Sequence, residues 1–183
     1  MSDPSPVEPN SRADWTARYA GGARRDEDTR PSRWVMEQST ALAPGSWVCD
    51  VAGGSGRHAA PLAARGCHVV IIDFVEAAVR TATRRAARVH GVVADVRTLP
   101  LKNARFDGIV VTNFLDRDLF PALIALLKPG GRLLYETYTT EHVALVAAGL
   151  AKSPRSARFL LKPGELRSLA APLTIVAYRE GDI

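Results

Sequence analysis

Lysine and cysteine are scarce in this chain. Lysine occurs only at positions 102, 128, 152 and 162, so the formal net charge of +5 is carried almost wholly by arginine. Two cysteines, Cys49 and Cys67, are too few for a disulfide scaffold or a zinc site, and both sit in apolar surroundings. A reducing cytoplasm is therefore the expected compartment. The four histidines (His58, His68, His90, His142) fall at no metal-ligand spacing, so no metal is expected. No apolar run approaches the ~18 to 20 residues that a membrane-spanning helix needs, and no stretch near the start reads as a signal peptide, so no membrane partner is expected. Internal repeats are lacking too. What is present, 183 residues of which 46% are hydrophobic, suits one globular domain.

The arginines do not form a nucleic-acid surface of obvious kind. Arg80, Arg84 and Arg88 recur at a spacing of four, which sets them on one helical face. A phosphate-binding stripe is one reading. A solvated outer face of a helix packed on a sheet is preferred, because no aromatic residues interleave for base stacking. Nucleic acid is thus an unlooked-for partner.

Organisation along the chain is legible in three parts. Residues 1–10, with Pro4, Pro6 and Pro9, read as a disordered tail. A helical cap is expected over 11–44: a helix from Ser11 to Tyr19, a glycine-rich loop from Gly21 to Thr29, and a second helix from Pro31 to about Leu42. Over 46–138 the pattern alternates. Strands are expected at Trp47 to Ala52, His68 to Ile72, Val89 to Ala94, Phe106 to Thr112 and Arg132 to Tyr138, with helices to Arg65, over Val75 to Ala87 and over Leu119 to Leu127. Pro61 sits inside the first of these helices without a local explanation. Residues 139–183 form a substrate-side segment with helices over Glu141 to Leu150 and Pro163 to Ala170, a loop over Ser153 to Leu161, and a sixth strand over Leu173 to Tyr178. Strand and helix alternating at this interval predict a single α/β domain: a doubly wound, mostly parallel, Rossmann-like sheet with helices on both faces.

In such a sheet ligands bind beyond the carboxyl ends of the strands. The first strand ends in Asp50-Val51-Ala52-Gly53-Gly54-Ser55-Gly56. Three glycines directly after a buried strand let the backbone approach a ligand and turn sharply into a helix. By itself this loop also satisfies a loose dinucleotide pattern. Asp50 discriminates: a carboxylate at that strand end repels a pyrophosphate and attracts an ammonium group. The reading therefore moves from NAD toward S-adenosylmethionine, whose amino group and sulfonium are both cationic. Asp73, closing the second strand, can accept both ribose hydroxyls or cap the next helix, and Phe74 can lie against the adenine. Asp95 and Val96, after the third strand, can accept from and donate to the base.

On these residues the chain resembles the class I S-adenosylmethionine-dependent methyltransferases. The segments that carry the likeness are DVAGGSGRHA (50–59), VVIIDF (69–74), VVADV (92–96), FDGIVVTNFL (106–115) and LLKPGGRLLYETY (126–138). WTARYA near the start, NFLDRDLF after the fourth strand and RFLLKPGELRSL near the end are similar to small tellurite-resistance-type methyltransferases. The resemblance implies S-adenosylmethionine as cofactor, held by Asp50, Ala52, Gly53, Gly54, Ser55, Gly56, Asp73, Phe74, Asp95, Val96 and Asn113. Three departures stand out. Ala52 occupies the family's first loop-glycine position, which is tolerable at a negative φ. The chain ends at Ile183, leaving nothing for a final antiparallel strand and hence a sheet edge that is open, covered or paired in a homodimer. Asn113-Phe114-Leu115 also differs from the Asn/Asp-Pro-Pro-Tyr/Phe loop of amino-methylating nucleic-acid enzymes.

Methyl transfer from a sulfonium is an in-line displacement that rests mainly on alignment and water exclusion. No base is evident near the fourth strand, so no catalytic residue is assigned. A small, intrinsically nucleophilic acceptor is expected: a thiol, a chalcogen oxyanion or similar. Arg18, Tyr19, Phe114, Arg117 and Tyr138 are the candidates for holding it, with the Trp15 to Tyr19 helix as lid or as simple packing. The alternatives are a non-catalytic S-adenosylmethionine-binding protein, an RNA methyltransferase suggested only by the positive charge, and an NAD-dependent oxidoreductase, against which Asp50 argues.

Overall fold

The computed structural model describes residues 12–20, 30–98, 105–149 and 157–181; the expected tail, the Gly21 to Thr29 loop and part of the Ser153 to Leu161 loop lie outside them. Five strands, β1 (Trp47–Val51), β2 (His68–Asp73), β3 (Val89–Val93), β4 (Phe106–Thr112) and β5 (Leu127–Glu136), form one sheet. Its order is β3-β2-β1-β4-β5, and every pairing is parallel. Parallel pairing follows from the helical crossovers, since each strand must return to the same edge before the next begins.

Side-chain alternation builds two cores. In β2, Val69 and Ile71 enter one cluster, while Ile72 and the partly buried Val70 face the other. The first face packs against α2 (Arg33–Gln38), α3 (Ala59–Ala64) and α4 (Glu76–Thr83), through Val35, Leu62 and Ala82. The second packs against α5 (Phe120–Leu126) through Leu123 and Leu126. This is the doubly wound architecture that the alternating pattern predicts. At the N-terminal side α1 (Arg12–Ala20) lies beside α4. The C-terminal segment adds α6 (His142–Ala147) and α7 (Glu165–Leu169).

The structure resolves Pro61 and corrects three expectations. Helix α3 begins only at Ala59, so Pro61 lies in its first turn, where a missing N–H leaves no bond unmade. Strand β5 is assigned from Leu127 rather than Arg132; Phe106 pairs with Leu127 and Gly108 with Arg132, so Pro129-Gly130-Gly131 forms an irregular bulge in the ladder. Helix α6 is shorter than the Glu141 to Leu150 pattern suggests. Residues 173–178 form no strand. Leu173 packs on the second core, but Ile175 and Val176 are 42% and 73% exposed, and the segment is tied by side chains instead. Tyr178 donates to Glu180, which accepts from the Gly164 N–H, and Arg179 lies over the Trp34 ring. β-Propensity becomes a strand only where a neighbour supplies the ladder.

Candidate active site

Strand order reverses between β1 and β4, which opens a crevice at the carboxyl ends of the strands. The loop after β1 turns at once: the Gly53 N–H reaches the Ile72 carbonyl at 3.3 Å, and the Gly54 N–H reaches Asp73 Oδ2 at 2.9 Å. To do so Ala52 takes φ +52°, against the expected negative value. A left-handed alanine costs about 1 kcal/mol, sustained by the buried strands on either side. Gly53 has no room for a side chain, because a Cβ there would fall 2.6 Å from Asp50 Cγ. Gly56, at φ +78°, would meet Ala82 Cβ at 2.8 Å.

Asp50 is wholly buried, and neither carboxylate oxygen has a hydrogen-bond partner. Burial pushes its pKa up to about 7; the Arg57 guanidinium pulls it back, the Asp73 carboxylate raises it further, and the Ala59 N–H lowers it weakly. Of these, the lack of a well-formed hydrogen bond governs the chemistry. A buried carboxyl without a partner, beside a loop that excludes a Cβ, fits an incoming ammonium group.

Asp73 holds the loop from both sides: Oδ2 accepts from the Gly54 N–H and Oδ1 from the Val75 N–H, each at 2.9 Å. Its capping role before α4 is thus realised. Asp95 lies just past β3, exposed, and accepts from the Arg97 N–H at 2.9 Å, while Val96 is buried below it. Because β1, β2 and β3 are neighbours, Asp50, Asp73 and Asp95 come to one edge of the sheet. Ser55 is buried in the same loop and Phe74 is half-buried beside Asp73.

A cleft of about 580 Å³ adjoins this edge at the ends of β4 and β5, bordered by Ser32, Trp34, Arg57, Asn113, Glu136 and Tyr138. Asn113 turns the chain out of β4 at φ +55°, and its N–H reaches the Glu136 carbonyl at 2.9 Å. One serine ties the cleft together. Ser32 caps α2 by accepting from the Val35 N–H, donates its hydroxyl to Glu136 Oε2 at 2.6 Å, and donates its N–H to His58 Nε2 at 3.0 Å. With Nε2 accepting, His58 carries its proton on Nδ1, facing Thr112 Oγ1 at 3.4 Å. Burial, assisted by Arg57, lowers the His58 pKa to about 3, so the ring is neutral.

Of the expected substrate residues, Tyr138 borders the cleft and stacks at a tilt on His142, with ring centroids 4.3 Å apart. Arg117 does not reach the cleft. Its guanidinium grips Glu165 at 2.6 Å and 3.0 Å and the Leu160 carbonyl at 2.9 Å, so it braces the C-terminal segment. Phe114 packs on the second core, and its carbonyl accepts from the Tyr135 hydroxyl at 2.8 Å. Tyr135 therefore points away from Glu136, as alternation along β5 requires. Trp15 and Tyr19 are carried by α1 beside α4, away from the cleft border. Arg18 is on the same helix, with its side chain outside what the structure describes. Ser32, Arg57, His58 and Glu136 were not singled out by the sequence as site residues. The available signals were Ser32 as a cap one residue before a helix and Glu136 at the end of an alternating strand.

A glycine loop, a buried acid without a hydrogen bond and two further acids thus line one edge of an all-parallel α/β sheet. Known proteins resemble the chain over this region. Residues 48–131 match the family model described as "Methyltransferase domain". The chain is 36% identical over 126 residues to demethylmenaquinone methyltransferase of Clavibacter sepedonicus, covering 63% of this chain and 51% of that protein. The fold is similar to that of a S-adenosylmethionine-dependent methyltransferase from Geobacter sulfurreducens in complex with S-adenosyl-L-homocysteine (TM-score 0.62, 20% identity, covering 86% of this chain and 69% of that one). It is also similar to a TehB-like methyltransferase from Corynebacterium glutamicum (TM-score 0.56, 18% identity, 74% of this chain and 82% of that one). The chain thus carries a region, residues 48–131, that matches a methyltransferase domain, and its fold is similar to that of S-adenosylmethionine-dependent methyltransferases of known structure. It spans about half the length of the curated relatives it matches. Among the described residues no helix is long and apolar enough to cross a membrane.

Proposed function

We propose that this protein transfers a methyl group from S-adenosylmethionine to a small hydroxylated aromatic acceptor held in the cleft beside β4 and β5. The observation that carries the reading is the buried, unpartnered carboxyl of Asp50 beside a loop with no room for a Cβ at Gly53. Asp50 would hold the amino group of the cofactor, and the loop Ala52 to Gly56 would lie along its methionyl and ribose parts. Asp73 and Phe74 would contact ribose and adenine, and Asp95 and Val96 the base. Bound there, the cofactor supplies an electrophilic methyl group and leaves as a neutral thioether. The chain's own part is to align the acceptor and exclude water, effects worth up to ~7 to 11 kcal/mol.

The acceptor class rests on two supports. Relatives of this chain include several named demethylmenaquinone methyltransferases. The cleft is bordered by aromatic rings, Trp34 and Tyr138 among them, which suit a planar ring. A second reading, a thiol or chalcogen oxyanion, is favoured by the cationic Arg57 on the same cleft. Calorimetry with S-adenosylhomocysteine, then turnover on reduced 1,4-dihydroxynaphthalene, a thiol and tellurite, tests both. Binding and turnover on the diol support the first reading. Turnover on thiol or tellurite alone supports the second, and absence of S-adenosylhomocysteine binding refutes both.

A further inference from the structure

Ser32 ties one acid to the cleft among the described residues, Glu136, and its setting resembles that of a held proton acceptor. Oε2 is anchored by the Ser32 hydroxyl at 2.6 Å, which fixes the carboxylate. Oε1 has no hydrogen bond among the described residues, and Glu136 borders the cleft. On the other side of Ser32 stands His58, neutral and fully committed to Ser32 and Thr112. Next to His58 in the chain is Arg57, which borders the same cleft and makes no ion pair among the described residues. Arg57 also acts electrostatically on Asp50, so it stands between the cofactor loop and the acceptor cleft. The remaining charged or titratable groups on the cleft are Arg30 and Arg33 of the cap, Tyr135 and Tyr138 at the end of β5, Glu141 and His142, and Tyr178, Arg179 and Glu180 of the C-terminal segment. Arg33 is paired with Glu37, and Glu180 with the Gly164 N–H and Tyr178, so neither opposes Glu136 directly.

We infer that Glu136 takes the hydroxyl proton of the acceptor while Arg57 holds the oxyanion that forms. This rests on the hydroxylated-aromatic reading above. The acceptor O–H proton passes to Glu136 Oε1, and the oxygen's electron density moves into the ring. A new carbon–carbon bond forms between the ring carbon and the methyl group as the methyl–sulfur bond breaks, its electron pair staying on sulfur. The ring carbon then loses its proton to water, and Glu136 returns its own proton to the oxygen, which restores the aromatic diol. One proton is released overall, matching the loss of the sulfonium charge. A phenolic acceptor needs this help because its hydroxyl is mostly protonated at neutral pH; a thiol or oxyanion does not.

The test is Glu136→Gln, in which the amide oxygen still accepts from Ser32, so the anchor survives. With reduced 1,4-dihydroxynaphthalene, kcat is expected to fall about 100-fold or more, with S-adenosylhomocysteine affinity and Tm unchanged. Glu136→Asp should recover part of the rate. Independently of turnover, 4-nitrophenol is titrated on the S-adenosylhomocysteine complex by its phenolate absorbance. Arg57→Gln should raise the apparent pKa of the bound phenol by about one unit. A Glu136→Gln enzyme that keeps the wild-type rate overturns the inference, as does an unchanged phenol titration in Arg57→Gln. If the wild-type protein binds S-adenosylhomocysteine but methylates only thiol or tellurite, the acceptor reading fails and takes this inference with it. Wild-type turnover on the diol with an unaffected Glu136→Gln variant defeats the inference alone.

Discussion

Asp50 offers a test that needs no acceptor. Its carboxyl is buried and unpaired, with a pKa pushed up to about 7 from an ordinary 3.8. Between those values the unfolded chain has released the proton while the folded protein keeps it. Folding stability therefore falls as pH rises through this window, and the loss levels off above pH 7. Integrating the linkage from pH 5 to pH 8 gives roughly 2 to 3 kcal/mol of stability lost to this one group. Asp50→Asn cannot ionise and should lack that loss. His58 has the opposite sign: its pKa is lowered to about 3, so it contributes stability as pH rises toward 6.5. That slope is common to wild type and variant and cancels when the two are compared at each pH. Urea denaturation at pH 5 and pH 8 should thus show the variant gaining roughly 2 to 3 kcal/mol relative to wild type between them. Saturating S-adenosylhomocysteine should flatten the wild-type difference, because an ammonium group then pairs with the carboxylate. The variant should bind that ligand at least about 30-fold more weakly, the ~2 kcal/mol lower end for breaking a buried charge pair. Parallel pH curves, or equal affinity, would refute the assignment of Asp50 as the amine's partner.

Other outcomes follow from the same geometry. Ala52→Gly should stabilise the fold by about 0.5 kcal/mol, relief of the φ +52° strain being partly offset by backbone entropy, whereas Ala52→Val should destabilise it by more than ~1 kcal/mol; chemical denaturation checks both. Gly53→Ala should cost ~2 kcal/mol or more and abolish S-adenosylhomocysteine binding, since the new Cβ meets Asp50 at 2.6 Å. Burial of His58 predicts that His58→Gln removes an acid-induced loss of stability as pH falls from 6.5 toward 3, read from denaturation midpoints along that range. Arg117→Ala should free the C-terminal segment at ~1 kcal/mol, seen as faster amide exchange near Leu160 and Glu165. Glu165, held down to about pH 2 by Arg117, supports that contact above its ordinary pKa near 4.5 and releases it only as pH falls toward 2.

Local chemistry alone was enough to read the order of the five strands and the glycine loop after β1. Strands β1, β2 and β4 announce themselves as apolar runs buried on both faces, and helices that cross over to a parallel partner leave few arrangements. The acids at the ends of β1, β2 and β3 are legible because each directly follows or closes such a run. Contacts between distant segments were decided only by the tertiary structure. Ser32 meets Glu136 across 104 positions, His58 meets Thr112 across 54, and Arg117 finds Glu165 across 48. No periodicity encodes such partners, so an arginine suited to holding an acceptor became a brace. The β-rich segment 173–178 stayed irregular for a related reason: a strand exists only when another backbone takes up its hydrogen bonds. Ala52 entered the left-handed region because the buried strands on both sides dictate where the chain must turn, and their packing outweighs one residue's preference.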